Sequence, residues 1–427
     1  MLIPTELVAE LGSQLKRGGS AWVECDLDPL ELVRCGQRPT WAGYVGGPNR
    51  QVGGLGVARR LDTSRVGELA EFLPGPGGAT LFGCGFVPGR KPGGSWGGFR
   101  AASAVVPAVT AVRAAGRTGL SVISEEGHAI VKAVAAADPV PLDPLATPVE
   151  VSDIPTPEEW RLIVSDAIAA IDRGELEKVV LARTRLLRFP TFLHQFDLLA
   201  MAGTPSDFRF GWQEEGACLV GASPELLVRL DGLEVATFPM AGSGPRGSDL
   251  NGAVLRREHE AVVADVVARL SAVATLQNPP PPSAAAAGPL SHLVTGIEGR
   301  LTHATSLPHL VDLLHPTPAV GGLPREQALA VIDRLEAFER GWYAGAIGWM
   351  DSAGQGEAVV AVRSGLVAGD TLTLYAGAGI VAGMDPEVLV AETELKFRVL
   401  GDLFTNRGRV EPRRGPGGGG GPRSPDR

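Results

Sequence analysis

Several short segments of this 427-residue chain carry residues whose type and setting could do chemistry. Lys178 opens the run Lys178-Val179-Val180-Leu181-Ala182-Arg183, which is apolar on both faces like an interior strand, so its ammonium enters a sheet and loses hydration. Desolvation favours the neutral amine and lowers a lysine pKa, which is how such a group becomes a general base. A strand-end lysine with a buried stem and a solvated head gives the same pattern on this segment alone. Glu225 lies in Gly221-Ala222-Ser223-Pro224-Glu225, ahead of two strand-type runs joined by Asp231-Gly232. With Leu230 paired to Leu233, Glu225 faces Phe238, and Ala241-Gly242-Ser243 emerges beside a Gly-bearing loop that a ligand can approach closely. The plain alternative is a solvated residue at the start of a strand.

Two helices each point one carboxylate inward. Glu258 stands in the line Leu255, Glu258, Val262, Val266 of a helix over about 254–274. Glu392 stands in the line Val388, Glu392, Leu395, Val399, Leu403 of a final helix capped by Asp385-Pro386. A buried carboxylate needs a cation. Two glutamates with waters and an anionic substrate suit Mg²⁺, whereas either one singly suits a salt bridge to Arg. Lys396, four residues after Glu392, reads as helix-surface support.

Ala358–Arg363 and Leu372–Gly379 pair about Gly369-Asp370, which sets Arg363 opposite Ala376 and beside Gly377. A guanidinium fork and backbone N–H groups then converge as a clamp for a carboxylate. His315 lies in Leu314–Arg325, a loop stiffened by prolines and paired glycines, and by itself reads as a loop or core histidine.

The elements that must position these groups mix without a regular strand–helix–strand rhythm, which argues for an α+β fold over a doubly wound sheet. Thr156-Pro157-Glu158-Glu159 is a capping box that starts a helix over about 157–173, stopped at Gly174. Residues 1–150 read as short Gly-punctuated strands with Trp22, Trp41 and Trp96 as core anchors, and with no chemistry of their own. The Pro/Ala stretch 276–290 reads as a surface loop, and the tail 406–427 as disordered.

Composition bounds the function. The 39 basic against 48 acidic residues give a net charge of −9, and the tail's six Arg against Glu411 and Asp426 leave the rest near −13. A broad basic face for nucleic acid is not expected. No apolar run approaches a bilayer span and the start lacks a secretory signal pattern, so a soluble, cytoplasmic protein is expected. Cys25, Cys35, Cys84 and Cys218 show no metal or disulfide spacing and read as buried thiols. Only five of the basic residues are Lys, and Lys178 and Lys396 are two of them.

Taken in order, KVVLAR (178–183), GASPELL (221–227), LHPTPAVGG (314–322), RGWYAGAIGW (340–349), AVRSG (361–365), YAGAGIV (375–381) and DPEVLVAETELK (385–396) resemble the chorismate-utilising enzymes over about residues 151–405. That resemblance implies a single large α+β unit of two stacked, mainly antiparallel sheets flanked by helices, with residues 1–150 in the same fold. It implies addition of a nucleophile at C2 of chorismate with loss of the C4 hydroxyl. Lys178, where the ammonia-using branch has Gln, points to a water-adding member that needs Mg²⁺ and no organic cofactor. Isochorismate synthase is the expected activity, with salicylate synthase or a non-catalytic chorismate-binding subunit as alternatives, and the product could feed menaquinone or a siderophore.

Carried over residue by residue, Lys178 resembles the base and Glu225 the acid for the C4 hydroxyl. Glu258 and Glu392 resemble the Mg²⁺ ligands. Tyr343, Arg363, Gly377 and Lys396 resemble contacts to the enolpyruvyl carboxylate and metal region, Gly242 and Ser243 contacts near the ring carboxylate, and His315 a side chain facing the substrate. A monomer without a glutaminase subunit is the expectation. Two departures stand out. Ser243 replaces a common Thr, and Leu389 replaces a frequent second Glu, so Leu389→Glu is expected to tighten Mg²⁺ binding.

Overall fold

The computed structural model describes residues 2–36, 41–137, 141–142, 145–204 and 207–405; the tail 406–427 read as disordered lies outside them. Helix starts follow their capping chemistry. Thr156 Oγ accepts from the Glu159 N–H at 3.3 Å while the Glu159 carboxylate accepts from the Thr156 N–H at 2.9 Å, and the helix runs Pro157–Asp172. Asp385 likewise accepts from the Glu387 N–H at 2.9 Å and starts the helix Pro386–Gly401.

Among the described residues the strands form a twelve-stranded, a nine-stranded and a three-stranded sheet. The first two share one core, with Val45, Val52 and Phe210 from the larger packed in a single cluster with Phe82, Val228 and Ile347 from the other. This is the α+β architecture expected. Strands from the first 150 residues are interleaved with later ones: Ala42–Gly46 pairs with Phe208–Glu214, and Thr80–Cys84 with Ala346–Met350. Trp41 and Trp96 are core residues, but Trp22 is 47% exposed. It sits on the edge strand Ser20–Cys25, where alternation buries Ala21 and Val23 and turns Trp22 outward.

Other local expectations shift by a residue or two. Asp231 pairs with Glu234, so the hairpin turn is Gly232-Leu233 and Leu230 pairs with Val235. Gly232, at φ +60°, takes the left-handed turn position, and the register change removes Glu225 from its expected place opposite Phe238. The 276–290 stretch holds a strand, Ser283–Ala287, because the N–H groups after the proline run are free to pair with Leu290–Val294. The final helix buries Leu389, Val390, Thr393, Phe397 and Leu400, while Val388 is 61% exposed. Its inward stripe is rotated by about one residue, and Glu392 and Lys396 fall on the margin rather than on the central line.

Two chain passages carry the fold's main functional consequence. Ala217–Ser223 belongs to the twelve-stranded sheet and Leu226–Asp231 to the nine-stranded one; Gly356–Val360 and Ser364–Ala368 make the opposite crossing. The crossings run side by side: the Ala222 N–H donates to the Arg363 carbonyl and the Val360 N–H to the Glu225 carbonyl, each at 3.2 Å. The register expected for Arg363 continues into Gly365 opposite Leu374, but the single strand expected over 358–363 is broken at the crossing. There Arg363 adopts φ +53°, an uncommon backbone state for a side-chain-bearing residue.

Candidate active site

A cavity opens where these crossings meet the Glu258 and Glu392 helices. Glu225, Ser243, Glu258, Tyr343, Arg363, Gly377, Glu392 and Lys396 all line it. Residues separated by up to 171 positions thus converge, because two sheet crossings, one short sheet and two helix faces meet at one point.

Glu225 is buried just past its crossing, and burial pushes its carboxyl up to about 7. The Met240 backbone and the Lys178, Lys396 and Arg363 charges oppose that push without cancelling it. A carboxyl poised there is protonated for much of the population near neutral pH and can donate a proton.

Lys178 is 1% exposed and opens the interior strand Lys178–Arg188. It stands just behind the wall, its Nζ donating to Glu258 Oε1 at 2.9 Å. The other Glu258 oxygen accepts from the Gly242 N–H at 3.1 Å. Gly242 is a β-bulge at φ +70°, and a Cβ there would come within 2.8 Å of the Leu255 carbonyl, so only glycine lets the strand meet the helix this closely. Gly379 serves the same acid, since a Cβ would meet Glu258 Oε1 at 2.1 Å.

On the opposite helix, Lys396 Nζ donates to Glu392 Oε1 and to the Gly377 carbonyl, both at 2.6 Å. Arg363 is buried with no ion-paired carboxylate among the described residues; burial lowers its guanidinium from the usual range, while Glu392 and Asp207 act in the other direction. Tyr343 stacks on Tyr375 with ring centres 4.9 Å apart, and burial pushes its phenol up to about 12.

The two inward acids offer hard oxygen donors to one cavity. No third His, Cys, Asp or Glu joins them in a metal-holding group among the described residues. A cation held here would complete its shell with water and the ligand's own oxygens, which fits Mg²⁺ and the donor types present.

His315 does not face the cavity. Its Nε2 lies 3.1 Å from the Gly85 and Phe86 carbonyls, and burial drives its pKa down to about 4, the signature of a loop-anchoring core histidine. Leu389 is 1% exposed within the main core, not in the cavity wall.

His292, absent from the residues the sequence singles out, lines the cavity between Ser243 and Arg363. It follows the proline and alanine run and carries no motif signal, so only the pairing of Met240–Pro245 with Leu290–Val294 reveals it. Tyr375, the first residue of YAGAGIV, also lines the cavity, and its Oη accepts from Trp96 Nε1 at 3.1 Å, tying the N-terminal part to the cavity wall.

Comparison with known proteins places this geometry in context. The chain is 36% identical over 257 residues to the isochorismate synthase MenF of Bacillus subtilis (strain 168), covering 57% of this chain and 55% of that protein, so it spans a little over half of that relative's length. It is 37% identical over 289 residues to a putative isochorismate synthase MenF of Mycobacterium tuberculosis, covering 61% of this chain and 77% of the relative. The solved structure of the menaquinone-specific isochorismate synthase MenF from Escherichia coli superposes with a TM-score of 0.79 at 26% identity, over 94% of this chain and all of the other. No helix among the described residues is long and apolar enough to cross a membrane. A family model described as chorismate binding enzyme matches residues 63–405, which takes in both sheet crossings and both acid-bearing helices, and the chain therefore belongs to the chorismate-binding enzymes.

Proposed function

We propose that the chain is an isochorismate synthase, converting chorismate to isochorismate by adding water at C2 as the C4 hydroxyl departs. The observation that carries this reading is Glu225: a buried carboxyl with a pKa of about 7 on the wall of the same cavity as Arg363 and the two inward acids. The names of the relatives matched at 36 and 37% identity support it.

In this reading Glu225 in its protonated form hands its proton to the departing hydroxyl. Lys178 is the base that takes a proton from the incoming water. The new C2–O bond forms, the ring double bonds shift and the C4–O bond breaks towards Glu225, so one water enters, one leaves and the reaction is an isomerisation. Lys178 takes that proton in its neutral form, whose lone pair is open to the water while an N–H can still reach Glu258 across their 2.9 Å contact. Arg363, without a carboxylate partner of its own, takes a substrate carboxylate, and Ser243 and Tyr343 orient it. Glu258 and Glu392 would hold Mg²⁺, which when bound neutralises a substrate carboxylate. Local cations are needed because a dianion meets a body near −13. No glutaminase subunit is required, since the nucleophile is water.

The test is incubation with chorismate and Mg²⁺ followed by identification of the product. Isochorismate without pyruvate is expected. Salicylate with pyruvate would move the assignment to salicylate synthase, and unchanged chorismate would favour a non-catalytic chorismate-binding subunit. Lys178→Gln should abolish turnover while chorismate still binds; undiminished turnover would remove Lys178 from the role of base.

A further inference from the structure

Ser243, His292 and Arg363 form a hydrogen-bonded row along the cavity wall. Ser243 Oγ lies 2.8 Å from His292 Nδ1, and Arg363 Nη2 lies 2.6 Å from His292 Nε2. A guanidinium has donors and no acceptor, so Nε2 must be the acceptor in the second contact. A neutral imidazole has one nitrogen of each kind, so Nδ1 carries the proton and donates it to Ser243 Oγ. A doubly protonated ring would set N–H against N–H at Arg363, and burial together with the Arg363 and Lys396 charges keeps His292 well below the usual histidine pKa. With its oxygen already accepting, Ser243 keeps its own O–H free to donate.

We propose that His292 is a positioning residue whose tautomer, fixed by Arg363, turns Ser243 into an oriented hydroxyl donor for a carboxylate of the ligand in the cavity. The strand geometry supports the arrangement. The bulge at Gly242 shifts the register so that Ser243 pairs directly with His292, and both side chains reach the cavity. The row has two donors at its exposed ends, the Ser243 hydroxyl and the remaining Arg363 N–H groups, and so it selects an acceptor-only partner such as a carboxylate over a neutral hydroxyl. The inference rests on the reading of this cavity as the chorismate site, but its first test does not.

The full-length protein, labelled with ¹⁵N-histidine, is examined by long-range nitrogen–proton correlation, with the His292 signals assigned through their loss in His292→Gln. A pyrrole-type Nδ1 and a pyridine-type Nε2 across pH 6 to 8 are expected without any ligand. The opposite tautomer, or a protonated ring, overturns the proposal whatever the substrate proves to be. The second arm uses chorismate. His292→Gln can accept from Arg363 through its carbonyl and donate to Ser243 through its amide, and should keep KM within about threefold of the parent. His292→Leu and Ser243→Ala should each raise KM about tenfold or more, with a smaller change in kcat. The double variant should be little worse than either single one, as expected of residues that act together. A KM for His292→Leu equal to that of the parent, or fully additive effects in variants whose melting temperatures match the parent's, would reject the row as a positioning device.

Discussion

Arg183 and Arg363 are both buried, yet Arg183 lies against Asp153 and 3.0 Å from Glu394 while Arg363 meets no carboxylate among the described residues. Around Arg183 the account is closed locally. Arg185 joins the same two acids, and against the upward push of burial the Arg185 and Arg183 guanidiniums hold Asp153 below the usual carboxylate range. Around Arg363 the account stays open. Its side-chain hydrogen-bond partner among the described residues is a neutral histidine, its backbone is left-handed, and the nearby acid Glu225 is pushed up to about 7 rather than held down. A protein that buries a cation with its counter-ion has built a scaffold joint. One that buries a cation without a counter-ion has left a place for an anion to supply it.

The largest effect expected from breaking this contrast lies in Glu225→Gln. Removing the proton donor should lower turnover of chorismate by roughly 10²- to 10⁴-fold. The same variant sharpens the electrostatic claim through stability. A carboxyl whose folded pKa is about 7 binds its proton more tightly than the unfolded chain does between about pH 4.5 and 7, so the parent loses stability as pH rises through that window. The loss amounts to about 3 kcal/mol by pH 8 and should be absent in Glu225→Gln, which chemical denaturation at pH 5 and pH 8 will measure.

Methionine in place of each arginine comes next. Arg183→Met strands Asp153 and Glu394 and should destabilise the fold by about 3–5 kcal/mol, while the molecules that remain folded keep their affinity for chorismate. Arg363→Met should do the reverse, with stability held or raised and chorismate affinity lowered by roughly 10- to 100-fold. Equal losses of stability in the two variants would erase the distinction. Leu389→Glu should have a mainly structural effect. The side chain is packed in the core, so the new carboxyl should destabilise by a few kcal/mol, and a metal titration should show no gain in affinity, contrary to the tightening expected from the sequence.

The comparison also explains what was legible in the residues. Lys178, Glu225, Glu258 and Arg363 were visible as polar groups placed where an element's own pattern called for an apolar one or for a turn. Glu392 was marked by a stripe through Val388 that the packed helix rotates by about one residue, and it still reaches the cavity from the margin. The two helix caps and the Gly369-Asp370 turn were equally readable because their hydrogen bonds close within a few residues, while the Asp231-Gly232 turn moved on by one residue. His315 and His292 show where such reading ends. Both are buried histidines with depressed pKa values, and the one in the conspicuous Pro- and Gly-rich loop holds backbone carbonyls, while the one without any motif faces the cavity. Which partner a histidine meets depends on strands far away in the chain, and local spacing carries no record of them.

The residues alone marked a base candidate, a carboxyl beside a Gly-bearing loop, two inward carboxylates and a guanidinium, with the base candidate sharpened by a scarcity of lysine, and the family resemblance supplied the remaining roles. Tertiary structure decided the pairings. It bonded Lys178 to Glu258, carried Glu225 and Arg363 across between two sheets side by side, turned Val388 and Trp22 to solvent, and set His292 against Ser243 through a single bulge. The physical reason is that local order follows from hydrogen bonds and steric limits within a few residues. The charge state and partner of a buried group depend instead on desolvation and on the contacts that only the assembled fold brings within reach.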